Sequence, residues 1–476
     1  MTGTEERPEP EERSSVTHHV HEGQAYTATA GTLAVRDGEG AAKASLFHVA
    51  YVLDRGGGDA SNLTDRPVTF VFNGGPGSSS VWLHLGLFGP ERVQVPTDLR
   101  VAPPYPVGPN PRSLLPFTDL VFIDPVSTGF SRAAAGEDPK QFHGIDEDVA
   151  CLAELIRLWC TRNHRWTSPK YLAGESYGTA RAAELARHLQ DRHGMNVNGL
   201  VFISAILNFA TARTDRGNDL AFALALPTYA AAALHHGRLA PGTSLERVTA
   251  EVEDFALDRY LPTLLRASRA TERERTRLAG AVARFTGLSR SYVERCNLRV
   301  EPSRFRKELL RQSGCVIGRF DARYAAPDAD GAADGSDHDP SNSAVQGAYT
   351  AAVNDYLCRH LGYEDDMPYE VLNSAAVQPW NFGDKGRGRY VDASEALHAA
   401  MARNHGMRVF LASGYHDLAT PYFASEWAID HMALDGMPSQ QVATHRYQGG
   451  HMMYLHEPEL GLLHDDLAAF LQGWRP

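Results

Sequence analysis

Residues 174–178 (GESYG) carry the strongest chemical signal in the chain. They follow a short apolar run at 171–173 and precede an Ala-rich helical pattern that starts at Thr179. In a Gly-x-Ser-x-Gly segment the chain turns sharply from strand to helix, and the serine hydroxyl projects above the sheet. A serine becomes an effective nucleophile only when a base takes its proton. The segment therefore predicts Ser176 as the nucleophile of an acyl-transfer reaction.

The acid and the base of such a reaction are expected downstream, in the order serine, acid, histidine. Asp417 lies in a loop directly after the apolar run 409–412, and His451 follows two glycines. We expect Asp417 to fix the tautomer of His451 and to stabilise the imidazolium that forms during attack. His416 is the competing base. We favour His451, because Asp417 is better placed in chain order as the acid.

A glycine-rich loop supplies the third part of the site. Residues 73–80 (NGGPGSSS) follow the apolar run Val68–Phe72. Glycines let backbone N–H groups approach a carbonyl without an intervening Cβ, so Gly75 and Tyr177 are the predicted oxyanion donors. Such a loop could instead hold a phosphate. However, no Gly-Lys-Ser/Thr follows and the Gly-x-Gly-x-x-Gly pattern is absent, which favours a hydrolase.

The elements that must position these residues are short apolar runs alternating with amphipathic patterns. The predicted strands are Val68–Phe72, 120–123, 171–173, 200–203, 409–412 and a candidate at 444–447. The predicted helices include 145–159 and 179–192. Buried strands that alternate with helices indicate the α/β class, with a mostly parallel central sheet and helices on both faces.

The chain divides into three predicted parts. Residues 1–24 are acidic and contain prolines, and we expect a flexible N-terminal tail. Residues 25–208 and 345–476 show the strand and helix alternation and form the predicted catalytic core. Residues 209–344 are rich in Ala, Leu and Arg without strand alternation, which predicts an inserted helical cap.

Composition excludes several kinds of protein. The 476 residues include 46 Lys+Arg and 58 Asp+Glu, a net charge of −12, so binding to nucleic acid or anionic membranes by charge is not expected. The most apolar stretch, 220–234, is shorter than the ~20 residues of a membrane helix and contains Pro227. Five cysteines without a C-x-x-C pair, and an N-terminal segment without an apolar run, predict a cytoplasmic protein. The acidic run 328–340 lacks the spacing of a calcium loop. We expect neither a metal nor a cofactor.

Together these segments resemble the serine carboxypeptidase family. The matching motifs are residues 73–79 (NGGPGSS), 124–131 (DPVSTGFS), 174–178 (GESYG), the Asp417 loop and 450–452 (GHM), in that order. The resemblance covers about residues 67–208 and 400–460. It implies an α/β-hydrolase fold and the removal of C-terminal residues from peptides through an acyl-enzyme. The site residues that it implies are the triad Ser176, Asp417 and His451, the oxyanion donors Gly75 and Tyr177, and the substrate-binding residues Asn73, Gly74, Glu175 and Met452.

Three positions depart from the family pattern. Leu87 stands where the family has a second Glu that pairs with the equivalent of Glu175, Val71 replaces an aromatic residue, and residues 453–454 are Met-Tyr in place of Val-Pro. A Glu beside a substrate carboxylate must stay protonated to donate a hydrogen bond, and burial raises its pKa and favours acidic conditions. We therefore expect carboxylate recognition to be weakened, or rebuilt by an Arg or His of the insertion.

The sequence thus favours a serine carboxypeptidase that acts on peptides. An esterase or amidase of the same fold, acting on small acyl substrates, is the alternative. A non-catalytic binding protein of this fold is disfavoured, because the nucleophile, the acid and the base are all present. The oligomeric state is not indicated by the sequence.

Overall fold

A computed structural model of the protein describes residues 12–54, 65–96, 102–433 and 441–473. The strands in these ranges are β1 (Ser14–His21), β2 (Gln24–Arg36), β3 (Ala42–Leu53), β4 (Val68–Phe72), β5 (Glu91–Val93), β6 (Val107–Pro109), β7 (Asp119–Ile123), β8 (Arg132–Ala133), β9 (Lys170–Glu175), β10 (Gly199–Ile203), β11 (Cys315–Ile317), β12 (Ala325–Pro327), β13 (Arg408–Gly414) and β14 (Val442–Tyr447). The α-helices are α1 (Val81–Leu83), α2 (Ile145–Arg162), α3 (Tyr177–His193), α4 (Leu220–His235), α5 (Leu245–Phe255), α6 (Leu261–Leu265), α7 (Glu272–Thr286), α8 (Arg290–Arg295), α9 (Pro302–Glu308), α10 (Pro340–Asp355), α11 (Ser394–Arg403), α12 (Tyr422–Ala433) and α13 (Glu457–Gln472).

The central sheet is mixed, with a long parallel part. Its strand order is β1-β2-β3-β7-β4-β9-β10-β13-β14, and β8 pairs with β3. The pairs from β1 to β7 are antiparallel, and those from β7 to β14 are parallel. This arrangement confirms the predicted α/β class and its mostly parallel core. The chain crosses from one side of β4 to the other between β7 and β9, a switch point at which ligand sites form beyond the carboxyl ends of the strands.

Helices cover both faces of the sheet because the central strands are apolar on both. In β4, Phe70 and Phe72 pack with α2, α3, α11 and α12, whereas Val71 packs on the opposite face with α1, α10 and α13. Strands buried on both sides read as continuous apolar runs, and this explains why the sequence indicated them clearly.

The insertion is largely helical. Helices α4 to α9 enclose their own apolar cluster, which Leu418 of the Asp417 loop joins from the core side. The region also holds the short antiparallel pair β11 and β12, which the sequence did not predict. The predicted boundary at residue 344 falls inside α10, whose Val345 and Tyr349 pack against the sheet. The division of the chain into a tail, a catalytic core and a helical cap stays a prediction.

The predicted N-terminal tail is wrong for residues 14–24. Strand β1 pairs antiparallel with β2 along its whole length, from Ser14 opposite Gly31 to His21 opposite Gln24. It is an edge strand with little burial, so pairing with β2 stabilises it and no apolar run marks it in the sequence. The rest of that prediction, residues 1–11, lies outside the described residues.

Two features are absent from the described ranges. None of their helices is long and apolar enough to cross a membrane. Within the same ranges, no cluster of three or more His, Cys, Asp or Glu side chains is suited to hold a metal ion.

Candidate active site

Ser176 lies at the turn between β9 and α3, as the pentapeptide predicted. Its backbone adopts φ 59° and ψ −129°, a conformation that non-glycine residues rarely adopt and that marks a strained functional turn. A Cβ on Gly174 would lie 2.2 Å from the Gly178 carbonyl oxygen, so the first glycine of the motif is required by space. The Ser176 N–H donates to the Ile203 carbonyl at 3.0 Å, which ties the turn to β10.

The glycine-rich loop after β4 packs directly on this turn. A Cβ on Gly74 would lie 2.6 Å from both the Tyr177 nitrogen and the Glu175 oxygen, so only glycine fits there. Gly75 has a φ of 102°, which also favours glycine. Among the described residues, neither the Gly75 nor the Tyr177 N–H donates to another backbone oxygen, so both are available to a ligand.

A buried ion pair fixes the loop against the nucleophile helix. Arg181 of α3 places Nε 2.6 Å from Asp148 Oδ2, and the side chains of both residues are almost fully buried. The same guanidinium also donates from Nη1 to the Asn73 carbonyl oxygen. The pair therefore holds the two predicted oxyanion elements in one rigid unit.

Asp417 and His451 are in direct contact. Asp417 Oδ2 lies 2.7 Å from His451 Nδ1, and both side chains are buried. Asp417 Oδ1 accepts from the Ala419 and Thr420 N–H groups at 2.8 and 3.0 Å, which orients the carboxylate. Burial opposes protonation of His451, but the charge of Asp417 and its hydrogen bond to the ring outweigh burial and raise the imidazole pKa. Such an imidazole is poised to accept a proton and to remain paired with Asp417 afterwards.

The competing histidine, His416, points elsewhere. Its ring lies 5.7 Å from the ring of His235 in the cap, and its Nδ1 is buried without a hydrogen-bond partner. Burial lowers its pKa to about 3. It lines neither of the two cavities at Ser176.

Glu175 lies buried beside the nucleophile, and both of its carboxyl oxygens accept hydrogen bonds. Oε1 accepts from Asn73 Nδ2 at 3.0 Å, and Oε2 accepts from the Tyr454 hydroxyl at 2.6 Å. Burial, the largest effect, raises the Glu175 pKa to about 7. Tyr454 thus forms a hydrogen bond with Glu175, and no second Glu is present to do so. Leu87, which stands at the position of that second Glu, lies in the apolar core. In the sequence, Tyr454 was visible only as a departure from the family pattern, although its hydroxyl indicated a possible hydrogen-bond donor.

One cavity, the Glu175 cavity, holds the nucleophile together with the predicted base. It has a volume of about 190 Å³ and is lined by Asn73, Gly74, Gly75, Ser78, Trp82, Glu175, Ser176, Arg319, Phe320, Asn342, Leu372, Ser374, His451 and Met452. Every predicted substrate-binding residue is among them. Ser176 and His451 both line this cavity, but their side chains do not form a hydrogen bond with each other. Hydrogen bonds between catalytic groups commonly shorten when substrate binds.

A second cavity, the Trp380 cavity, also reaches Ser176. Its volume is about 350 Å³, and its lining is Gly75, Pro76, Ser176, Tyr177, Ile206, Phe209, Ala212, Arg213, Arg319, Gln378, Trp380, Phe382, Ala419 and Thr420. Both oxyanion candidates, Gly75 and Tyr177, line it.

A segment that the sequence did not single out contributes residues to both cavities. We call residues 369–382 the strap. The Val371 carbonyl accepts from the Ser79 N–H at 3.1 Å, and the Asn373 N–H donates to the Gly77 carbonyl at 2.7 Å. These bonds tie the strap to the glycine-rich loop, so the strap supplies side chains to both cavities.

Comparisons with known proteins agree with the motifs. Residues 31–226 match the sequence model of a family described as serine carboxypeptidase. This range includes both glycine-containing motifs, whereas the Asp417 and His451 segments lie beyond it. The chain is 33% identical over 145 residues to the pheromone-processing carboxypeptidase KEX1 of Yarrowia lipolytica, a match that covers 29% of this chain and 22% of that protein. The match thus spans about a fifth of the relative's length.

The fold is shared with a solved carboxypeptidase. The structure of Kex1(Δ)p, a prohormone-processing carboxypeptidase from Saccharomyces cerevisiae, superimposes with a TM-score of 0.57 at 14% identity, covering 94% of this chain and 91% of that chain. This likeness shows the fold, which is the α/β-hydrolase fold that the sequence predicted. The predicted resemblance to serine carboxypeptidases is confirmed, with its sequence support in residues 31–226.

Proposed function

We propose that the protein is a serine-type carboxypeptidase, a serine hydrolase that removes C-terminal residues from peptides. The observation that carries the proposal is the contact between Asp417 and His451 at 2.7 Å, with His451 and Ser176 lining one cavity. The similarity of residues 31–226 to serine carboxypeptidases supports the same reaction class.

The reaction proceeds in two steps. His451 Nε2 takes the proton of the Ser176 hydroxyl as Oγ attacks the scissile carbonyl carbon, and Asp417 stabilises the imidazolium. The carbonyl oxygen then carries the negative charge and accepts hydrogen bonds from the N–H groups of Gly75 and Tyr177. His451 returns the proton to the leaving amine, and the C–N bond breaks. A water molecule, activated by His451 in the same way, hydrolyses the ester on Ser176.

The position of His451 supports a role for each of the two cavities. Because the leaving amine must receive its proton from His451, the leaving residue occupies the Glu175 cavity, which His451 lines. The acyl part of the substrate then extends into the Trp380 cavity, which His451 does not line. The substrate therefore crosses Ser176 from one cavity to the other.

Recognition of the terminal carboxylate falls to Glu175 and its neighbours. A neutral Glu175 donates its proton to the substrate carboxylate, while Asn73 Nδ2 and the Tyr454 hydroxyl orient the carboxyl group. The pKa of about 7 keeps Glu175 protonated into the neutral range, and an approaching carboxylate favours the neutral form further. Tyr454 thereby replaces the paired Glu of the family pattern.

Covalent labelling tests the nucleophile. A fluorophosphonate should modify Ser176 and no other serine, as located by mass spectrometry of the digested protein, and Ser176→Ala should abolish the label. A label that persists in Ser176→Ala, or that maps to another residue, would refute the assignment. The peptide substrates, the absence of nucleic-acid partners and the cytoplasmic location stay predictions from the sequence.

A further inference from the structure

The Trp380 cavity is bordered by two arginines, Arg213 and Arg319. Both side chains are exposed. No aspartate or glutamate is among the described residues that line this cavity, and no described carboxylate forms an ion pair with either guanidinium. Asp215 lies near Arg213 in the chain, but its hydrogen-bonding partner is the Tyr390 hydroxyl. The rim of the cavity therefore carries two guanidinium groups that form no ion pair with a described carboxylate.

This local charge is opposite to that of the whole chain, which is −12. A concave site lined by one sign of charge concentrates ligands of the opposite sign. Guanidinium groups also bind carboxylates through paired N–H donors, which adds geometric selectivity to attraction. The expected occupant of the rim is consequently an anionic group, and a carboxylate fits best.

Four aromatic rings form part of the wall of this cavity and pack against one another in pairs. The rings of Phe209 and Phe382 meet edge to face at 5.3 Å, and those of Trp380 and Tyr177 at 5.5 Å. The Trp380 Nε1 donates to the Tyr177 hydroxyl at 3.0 Å, which fixes the indole. Such walls accommodate a short methylene stem, so the complete occupant is a carboxylate on an aliphatic chain.

Arg319 is held close to the reacting groups. Its guanidinium lies 5.3 Å from the Phe320 ring centroid, and that ring stacks on His451 at 4.9 Å. Arg319 lines both the Glu175 cavity and the Trp380 cavity, whereas Arg213 lines only the Trp380 cavity. The pair can thus be separated experimentally, because only Arg213 is remote from the leaving residue.

We propose that the Trp380 cavity selects substrates with an acidic residue, Glu or Asp, on the acyl side of the scissile bond, through Arg213 and Arg319. The inference rests on the proposed function, because the carboxypeptidase reaction assigns this cavity to the acyl residue. It adds a substrate preference that the motifs do not indicate.

The test uses N-blocked dipeptides Xaa-Phe with a free C-terminus, in which Xaa is Glu, Gln, Leu or Lys. The kcat/KM should be greater for Glu than for Gln by about tenfold, the effect of one charge-assisted hydrogen bond. Arg213→Gln should remove that preference by lowering kcat/KM for the Glu peptide more than for the Gln and Leu peptides. Arg216→Gln, an exposed arginine outside the cavity lining, is the matched control and should keep the preference.

Four outcomes would overturn the proposal. These are equal turnover of the Glu and Gln peptides, a preference for Leu over Glu, retention of the Glu preference in Arg213→Gln, and an equal loss for all four peptides in Arg319→Gln. The last would show that Arg319 binds the terminal carboxylate and not the acyl side chain.

A binding measurement separates this proposal from the proposed reaction. N-acetyl-glutamate and N-acetyl-glutamine are titrated into the Ser176→Ala variant by calorimetry. Tighter binding of the glutamate compound, lost in Ser176→Ala with Arg213→Gln, would support the anionic cavity even if no peptide is cleaved. Equal binding of the two compounds would contradict it whatever the reaction proves to be.

Discussion

Nδ1 of His451 lies 2.7 Å from Oδ2 of Asp417, although the two residues sit in different loops beyond the parallel strands β13 and β14. The contact depends on glycine, because a Cβ on Gly414 would lie 2.2 Å from the Gly450 carbonyl oxygen. Close packing of the two loops thus brings acid and base together at the carboxyl edge of the sheet, above which Ser176 also lies.

Asp417→Asn tests this contact. An amide in place of the carboxylate cannot stabilise the imidazolium and favours the wrong histidine tautomer, so kcat should fall by about 10⁴-fold. The measurement is kcat on a blocked dipeptide, with thermal unfolding to confirm the fold. His416→Gln serves as the control and should retain activity. Full activity in Asp417→Asn, or a comparable loss in His416→Gln, would mean that the base has been misassigned.

Glu175 predicts how activity depends on pH. With a raised pKa of about 7, Glu175 is neutral and competent to donate below that pH and loses its proton above it. The kcat/KM for a free C-terminus should therefore fall as pH rises through about 7. Glu175→Gln keeps a donor at every pH, so this alkaline decline should disappear. An unchanged decline in Glu175→Gln would exclude Glu175 as the titrating group.

Tyr454→Phe should move the same decline in a specific direction. The Tyr454 hydroxyl donates to Glu175 Oε2 and stabilises the ionised carboxylate, which lowers the pKa. Removing the hydroxyl should raise the Glu175 pKa and shift the alkaline decline of kcat/KM to higher pH. The measurement is the pH profile of kcat/KM for both proteins. A shift to lower pH would contradict the proposed hydrogen bond.

The sequence predicted the residues that lie on or directly beyond the central strands. Apolar runs buried on both faces identify β4, β9, β10 and β13, and parallel strands bring their carboxyl ends to one edge. Ser176, Asp417 and His451 all follow such strands, so their convergence could be expected from order alone. The glycine at position 174 is required because a Cβ there would clash with the Gly178 carbonyl oxygen. The glycine spacing of residues 174–178 is therefore visible in the sequence.

What the sequence did not reveal depends on packing between distant segments. The strap meets the glycine-rich loop through backbone hydrogen bonds, which leave no side-chain pattern. Arg319 reaches the site because its backbone carbonyl accepts a hydrogen bond from the Leu418 N–H at 3.0 Å, and exposed arginines are common. Strand β1 was missed because its residues are mostly polar and its partner β2 provides the hydrogen bonds.

Gly74→Ala tests the fit between the oxyanion loop and the nucleophile turn. The added Cβ would lie 2.6 Å from the Tyr177 nitrogen and must displace one of the two oxyanion donors. The kcat should fall by about 10²–10³-fold, the usual effect of losing one donor. Gly280→Ala is the matched control, because its Cβ would meet no atom within 4 Å. Normal kcat in Gly74→Ala would place the oxyanion donors elsewhere.

Asp119→Ala tests stability away from the site. Asp119 begins β7 at the edge of the sheet opposite Ser176, and its carboxylate pairs with the buried guanidinium groups of Arg66 and Arg165. Removing it leaves two buried cations without their shared anion, so the free energy of unfolding should fall by about 3–5 kcal/mol. Urea unfolding measures the change, with the exposed Asp384→Ala as control. A loss below 1 kcal/mol, the scale of a surface pair, would show that the cluster does not contribute as argued.

The products released from one peptide in two forms give the most direct test of the proposed carboxypeptidase activity. A peptide with a free C-terminus and its C-terminally amidated twin are incubated with the protein and with Ser176→Ala, and mass spectrometry follows the products over time. We expect stepwise loss of C-terminal residues from the free peptide alone, and none with Ser176→Ala. Equal turnover of both forms would indicate an esterase or amidase without carboxylate recognition, and cleavage by Ser176→Ala would contradict the proposed mechanism.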